Sequence, residues 1–242
     1  ITHCNGTDIW IISHDALGST YRAYLVTATG VSNTAVISSI GTSINTVFEG
    51  MAYMTCSKEG TKIATNIGTA FDIIDFDNQT GMLCNPVTVN TGGFGGYGIE
   101  FSEDGTKLYV SDFTLDQYDV SSGNSATILA SKINLGVNEP AAVMRGPNDK
   151  IYVATGCDWY DQGTSTMFET RKIHVINDPN FNGAACNLQQ DLFTTPRECG
   201  LGLPTCYYPT QNTNTCGPVL NAEFTSNSAS ICNDDCVTFT NI

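Results

Sequence analysis

The 242-residue sequence predicts an all-β repeat fold, a β-propeller, and three observations predict it. A strand-turn-strand motif recurs: CSKEGTKIATNI at 56–67 returns as FSEDGTKLYVSD at 101–112 and as MRGPNDKIYVAT at 144–155. A second turn follows each copy, ending at Gly81, Gly123 and Gly183, the last delayed by an insertion over 156–170. Between the turns the residues alternate apolar and polar and are rich in β-branched and aromatic side chains, the pattern of short strands. Gly60 and Gly105 lie 45 residues apart. Four short strands every ~40–45 residues is the spacing of a propeller blade. A β-sandwich has similar strands but does not repeat its own turn motif at fixed intervals.

Taken in order, the chain reads as about four blades. The first contains DIWIISHD, STYRAYLVTATGV and AVISSIGT, with only ITHC standing for its innermost strand. The second runs over about 50–90 and the third over about 96–136, where YGIEFS, KLYVSDF, LDQYDV and ILASKINL read as its strands. The fourth runs over about 140–195. A chain that starts inside a blade, at Ile1, reads as a processed or excised piece, and its blades as part of a larger propeller. Residues 199–220 form a Cys-, Pro- and Gly-rich linker, and alternation resumes over 221–242 as the start of another β module.

Composition narrows the function classes. With 10 Lys and Arg against 24 Asp and Glu, the net charge is −14. That excludes general nucleic-acid binding and docking on anionic lipid, both of which need clustered cations. No apolar run reaches the ~18 residues of a membrane span, so no membrane insertion is expected. Ten Cys in an acidic chain without a C-x-x-C pair point to disulfides and an oxidising compartment rather than to a zinc site. Cys232 and Cys236, bracketing a short turn, are the one specific candidate pair.

The segments HCNGTDIWIISHD, YRAYLVTATGV, YGIEFSEDGTKLYVSD, the run from Ala141 to Thr155, HVINDPNFNGAACN and GLGLP carry a family resemblance. Together they resemble the β-propeller region of large Bacteroidota surface proteins exported by the type IX secretion system. Those proteins are gliding-motility-associated and carry type B sorting domains. The tail from Asn221 resembles the opening of an immunoglobulin-like PKD domain. Neither the N-terminal blades nor the sorting domain of that family is within this sequence. The resemblance implies an extracellular, cell-surface scaffold or adhesion module that is not an enzyme and has no cofactor. Its propeller loops would bind a protein or a glycan. A secreted substrate captured by secretion-system components is an alternative reading.

Candidate site residues are few. Ser13, His14 and Asp15 adjoin in sequence, but neighbours on a strand point to opposite faces, so a polar strand end is expected rather than a catalytic triad. His174 alternates with apolar neighbours and reads as a half-buried strand residue. Thr91–Gly98 (TGGFGGYG) lacks the Lys and Ser/Thr of a phosphate loop and reads as a connection between blades. Asp75, Asp77 and Asn78 suggest a Ca2+ loop faintly, but no bidentate Glu follows, and turn chemistry accounts for them better. Glu49 and Glu139 precede innermost strands; with a metal in the central channel they would make a hydrolase, the alternative to a binding module. Trp159 and Tyr160, in the fourth-blade insertion, are the ligand-binding candidates, because inserted loops on rigid scaffolds carry function. The sequons at Asn5 and Asn78 carry little weight in a bacterial protein.

Overall fold

The computed structural model describes residues 1–51, 53–93, 96–155, 172–194 and 202–203, and the backbone of 225–226 and 239–240. Three strands and a hairpin extension make the first sheet: β1 (Ile9–His14), β2 (Gly18–Thr27), β3 (Gly30–Val31) and β4 (Val36–Ile44). β2 pairs with β1 on one side and with β4 on the other, and Thr2 bridges to Ile9 beyond β1. ITHC therefore takes the innermost place that the repeat assigns to it.

Three further sheets follow, each of four antiparallel strands in chain order. The second comprises β5 (Met54–Cys56), β6 (Lys62–Ile67), β7 (Ala70–Phe76) and β8 (Leu83–Asn90). The third comprises β9 (Ile99–Phe101), β10 (Lys107–Ser111), β11 (Thr114–Asp119) and, after helix α1 (Ser125–Ala130), β12 (Ile133–Asn138). β13 (Pro140–Arg145), β14 (Ile151–Thr155), β15 (Lys172–Ile176) and β16 (Leu188–Thr194) make the fourth. A last pair, β17 (Thr225–Ser226) with β18 (Phe239–Thr240), lies in the tail.

Helix α1 departs from the single strand expected over ILASKINL. The Asn124 side chain accepts the Thr127 amide and caps a short helix, and Ile128 drops fully buried into the core. The strand begins only at Ile133.

The sheets stack through three apolar layers. Trp10, Tyr21 and Ala23 of the first pack on Ile63, Ile74, Phe76 and Leu83 of the second. Ala64, Phe71, Ile73 and Val89 of the second pack on Ile99, Phe101, Leu108 and Tyr118 of the third. Tyr109, Leu115 and Val137 of the third pack on Val143, Ile151, Val153 and Ile176 of the fourth. Strand alternation makes this possible: β10 sends Leu108 and Val110 one way and Tyr109 the other.

Polar devices repeat with the blades. Ser57 and Ser102 turn their hydroxyls onto the amides of Lys62 and Lys107, closing the turn between first and second strands. Lys62 and Lys107 then reach Asp75 and Asp119 across the sheet, both at 2.6 Å; in the fourth sheet Lys150 meets Asn177. Asn66 donates its amide to the Gly98 carbonyl of the next innermost strand, and Ser111, one blade on, donates to the Ala141 carbonyl. The inner strands approach so closely there that a Cβ on Gly98 would stand 2.5 Å from the Ala141 oxygen. Among the described cysteines, Cys4 and Cys84 are disulfide-bonded, and Cys56 and Cys186 are free thiols. No helix of the described residues is long and apolar enough to cross a membrane.

Candidate functional site

In an antiparallel sheet taken in chain order, the turn between the second and third strands lies at the same end as the exit to the next sheet. That end collects the connections 15–17, 45–51 with 53, 68–69, 91–93 with 96–98, 112–113 and 139. Contacts confirm the grouping. The Gly68 amide donates to the Glu49 carbonyl at 3.2 Å, and Glu139 donates its amide to the Phe113 carbonyl at 3.1 Å. Gly93 lies so close to the Asp112 carboxylate that a Cβ there would collide with it.

Exposed apolar side chains gather on these connections. Leu17, Val47, Phe48, Met51 and Phe113 all stand out, Phe48 at 79% and Phe113 at 61% exposure. Large apolar groups held in water cost free energy, and a recurring set on rigid loops is the usual mark of a recognition surface.

The two acidic candidates lie on this end but on different connections. Glu49 bends back to accept the Asn45 backbone amide at 2.7 Å, so its carboxylate serves its own loop. Glu139 sits in the left-handed region (φ 50°) at the junction of β12 and β13. Among the described residues no group of three or more His, Cys, Asp or Glu side chains is placed to hold a metal. Trp159 and Tyr160 lie outside the described residues, as do Cys232 and Cys236.

The other candidates find local partners. Ser13 faces solvent, while Asp15 makes a two-pronged ion pair with Arg22 at 2.8 and 2.9 Å. His14 stacks edge-on against Tyr21, with ring centres 4.4 Å apart. No triad forms from these three. Asp77 receives the Gln79 amide and the Thr80 hydroxyl, and Asp75 pairs with Lys62 and Asn85, as turn chemistry requires. His174 is buried rather than half-buried, and burial lowers its pKa. Its Nδ1 accepts the Asp191 amide at 2.9 Å, which places the ring proton on Nε2.

One carboxylate escaped the sequence reading. Glu100, within YGIEFS, is buried on the innermost strand β9. Its Oε1 accepts the Thr55 hydroxyl at 2.9 Å from β5 and the Phe101 amide at 3.0 Å, and its Oε2 accepts the Arg145 amide at 3.1 Å from β13. Burial raises its pKa, while these donors and the Arg145 charge pull it down. Glu100 therefore joins three innermost strands. The signal for it was an acid between Ile99 and Phe101 in a short apolar strand, where a charge needs buried partners. Lys58 repeats the device in the turn that follows β5, binding Glu103 at 2.7 Å and Asp149 at 2.9 Å from the corresponding turns of the next two sheets.

Comparison with solved structures establishes the architecture. A 6-phosphogluconolactonase-like protein of Bacteroides uniformis is 16% identical, covers 81% of this chain and 54% of its own, and superposes with a TM-score of 0.51. A protein from Lactobacillus plantarum is 18% identical, with 78% and 53% coverage and a TM-score of 0.52. The fold is propeller-like. The chain spans about half the length of these structures. The comparison corrects one expectation, that the chain is not an enzyme, since the fold it shares is one that enzymes use. At such identity the likeness establishes the fold alone, because one fold hosts many chemistries. No protein-family model and no curated protein matches the sequence.

Proposed function

We propose that this chain is a stretch of a larger propeller in an exported cell-surface protein, and that its loop end recognises a protein or glycan partner. The observation that carries the recognition role is the set Leu17, Val47, Phe48, Met51 and Phe113, five exposed apolar residues brought to one end by separate connections. Apolar and aromatic groups of this kind dominate binding free energy at interfaces. Disulfide-bonded Cys4 and Cys84, with an acidic and Lys-poor surface, support an oxidising, extracellular setting. The larger ring is supported by the outer face of the first sheet, where Ile11 and Ile37 are 52% and 53% exposed and no further sheet covers them among the described residues. The PKD-like start after Asn221 would then continue the surface protein as a spacer.

The test is adhesion of the parent protein to immobilised glycans and to surface proteins, with Phe48→Ser and Phe113→Ser beside the wild type. Loss of adhesion by tenfold or more with unchanged thermal stability supports the reading. Undiminished adhesion in both variants removes the loop end as the recognition surface. Incubating the captured ligand and looking for a cleaved product reads catalysis in the same experiment.

A further inference from the structure

The innermost strands end in register: Cys56 pairs with Ile63, Phe101 with Leu108 and Arg145 with Ile151. In the third copy of the repeat a cation thus takes a place held by apolar or thiol side chains in the other two. The described residues contain eight Lys and Arg side chains, and seven of them have a partner. Arg22, Lys58, Lys62, Lys107, Lys132 and Lys172 meet carboxylates within 4 Å, and Lys150 meets the Asn177 side-chain oxygen. Arg145 forms no ion pair within that distance, and its Nη1 is shut off from solvent with no hydrogen-bond partner. In a chain of net charge −14, an arginine left without a carboxylate is not explained by any shortage of acids.

Glu100 does not neutralise it. That carboxylate is held by Thr55, Phe101 and the Arg145 backbone amide, and the guanidinium stays beyond ion-pair distance. The Arg145 backbone amide meets Glu100 at 3.1 Å, so the residue stands at the end of β13 beside β9, and its charge is felt at both Glu100 and Cys56. In a propeller these strands line the central axis. A partly buried charge with an unmet donor is costly, and a guanidinium offers paired donors that match two oxygens of one anion.

We propose that Arg145 is the anchor of a small-oxyanion site at the axial end of the innermost strands, taking a phosphate or carboxylate group. The site is separate from the apolar loop end and does not depend on it.

The experiment is thermal unfolding of the 242-residue chain in inorganic phosphate, acetate and chloride at matched ionic strength, with Arg145→Met and Arg145→Lys. Folding of each variant is checked by circular dichroism in plain buffer. The expected result is a rise of about 2–4 °C in phosphate or acetate over chloride for the wild type. Arg145→Lys keeps part of that rise and Arg145→Met loses it. Which anion gives the larger rise identifies the group preferred. An equal rise in wild type and Arg145→Met means a general salt effect and overturns the proposal, as does a flat response of the wild type to both anions. If Arg145→Met does not fold, the Lys variant decides: a wild-type response undiminished in it overturns the guanidinium's role.

Discussion

The second sheet and the first carry the same apolar alternation, yet only the second is covered on both faces. In the second, Ile63, Ile74, Phe76 and Leu83 on one face and Ala64, Phe71, Ile73 and Val89 on the other are all buried. In the first, Trp10, Tyr21 and Ala23 are buried, while Ile11 and Ile37 on the opposite face stand half in water, flanked by half-buried Ile9, Tyr24 and Val26. What differs is the presence of a neighbour, which teaches that an apolar strand pattern reports the capacity for burial and a packed sheet realises it.

The largest expected effect tests the covered side. Phe71 and Tyr118 meet edge-on across the second interface, with ring centres 5.0 Å apart. Phe71→Ala is expected to cost about 3–5 kcal/mol in urea unfolding, against about 1 kcal/mol or less for Ile11→Ala in the same chain. Equal costs would break the comparison. A higher cost for Ile11→Ala in the intact parent polypeptide would sharpen it, by showing the outer face covered there.

Next comes the axial carboxylate. Glu100→Ala strands three donors from two neighbouring strands and their own, and should cost about 2–4 kcal/mol. Glu100→Gln keeps the shape and should cost less. The pH dependence separates them further. Because burial raises the Glu100 pKa above its ordinary 4.5, the folded state holds the proton more tightly than the unfolded chain. Its contribution to stability is full below that ordinary value and declines as pH rises through the raised one. The deficit of Glu100→Gln relative to wild type should therefore shrink as pH climbs above about 4.5, in urea titrations at stepped pH. A deficit that grows with pH would contradict the burial argument.

A smaller effect of opposite sign comes from Asp119. The Lys107 ammonium and the Ser121 hydroxyl hold its carboxyl at about 2, below the ordinary 3.8. Stability from this group is present above 3.8 and is lost as pH falls through about 2. Asp119→Asn should flatten that acid limb and leave neutral pH little changed. Least of all, Ile11→Ser with Ile37→Ser should alter stability by under about 0.5 kcal/mol while reducing self-association in sedimentation. Unchanged association would mean that the exposed face is not what makes the chain sticky.

The repeat made the architecture legible. The lysine at the start of each second strand, the serine of the turns at 57 and 102 and the glycines between strands are local signals, and each does in the structure the local job its spacing suggests. The carboxylate and the arginine at the axis were not legible. Glu100 and Arg145 lie 45 residues apart, and neither residue type recurs at the matching place in the other copies of the repeat. Their meaning depends on β5, β9 and β13 converging, which no single window of sequence contains.

Alternation, turn residues and the interval of the repeat determined on their own that this chain makes successive four-stranded antiparallel sheets, because strand pairing through short turns is a local event. Helix α1 shows the limit even there, since an Asn cap and one buried isoleucine overrode a strand-like run. Only the tertiary structure decided which apolar faces are buried, which carboxylate ties the inner strands and which of the described cations is left without an ion pair. Burial and charge pairing are set by neighbours brought from distant parts of the chain, and a residue's type states only what it would accept from them.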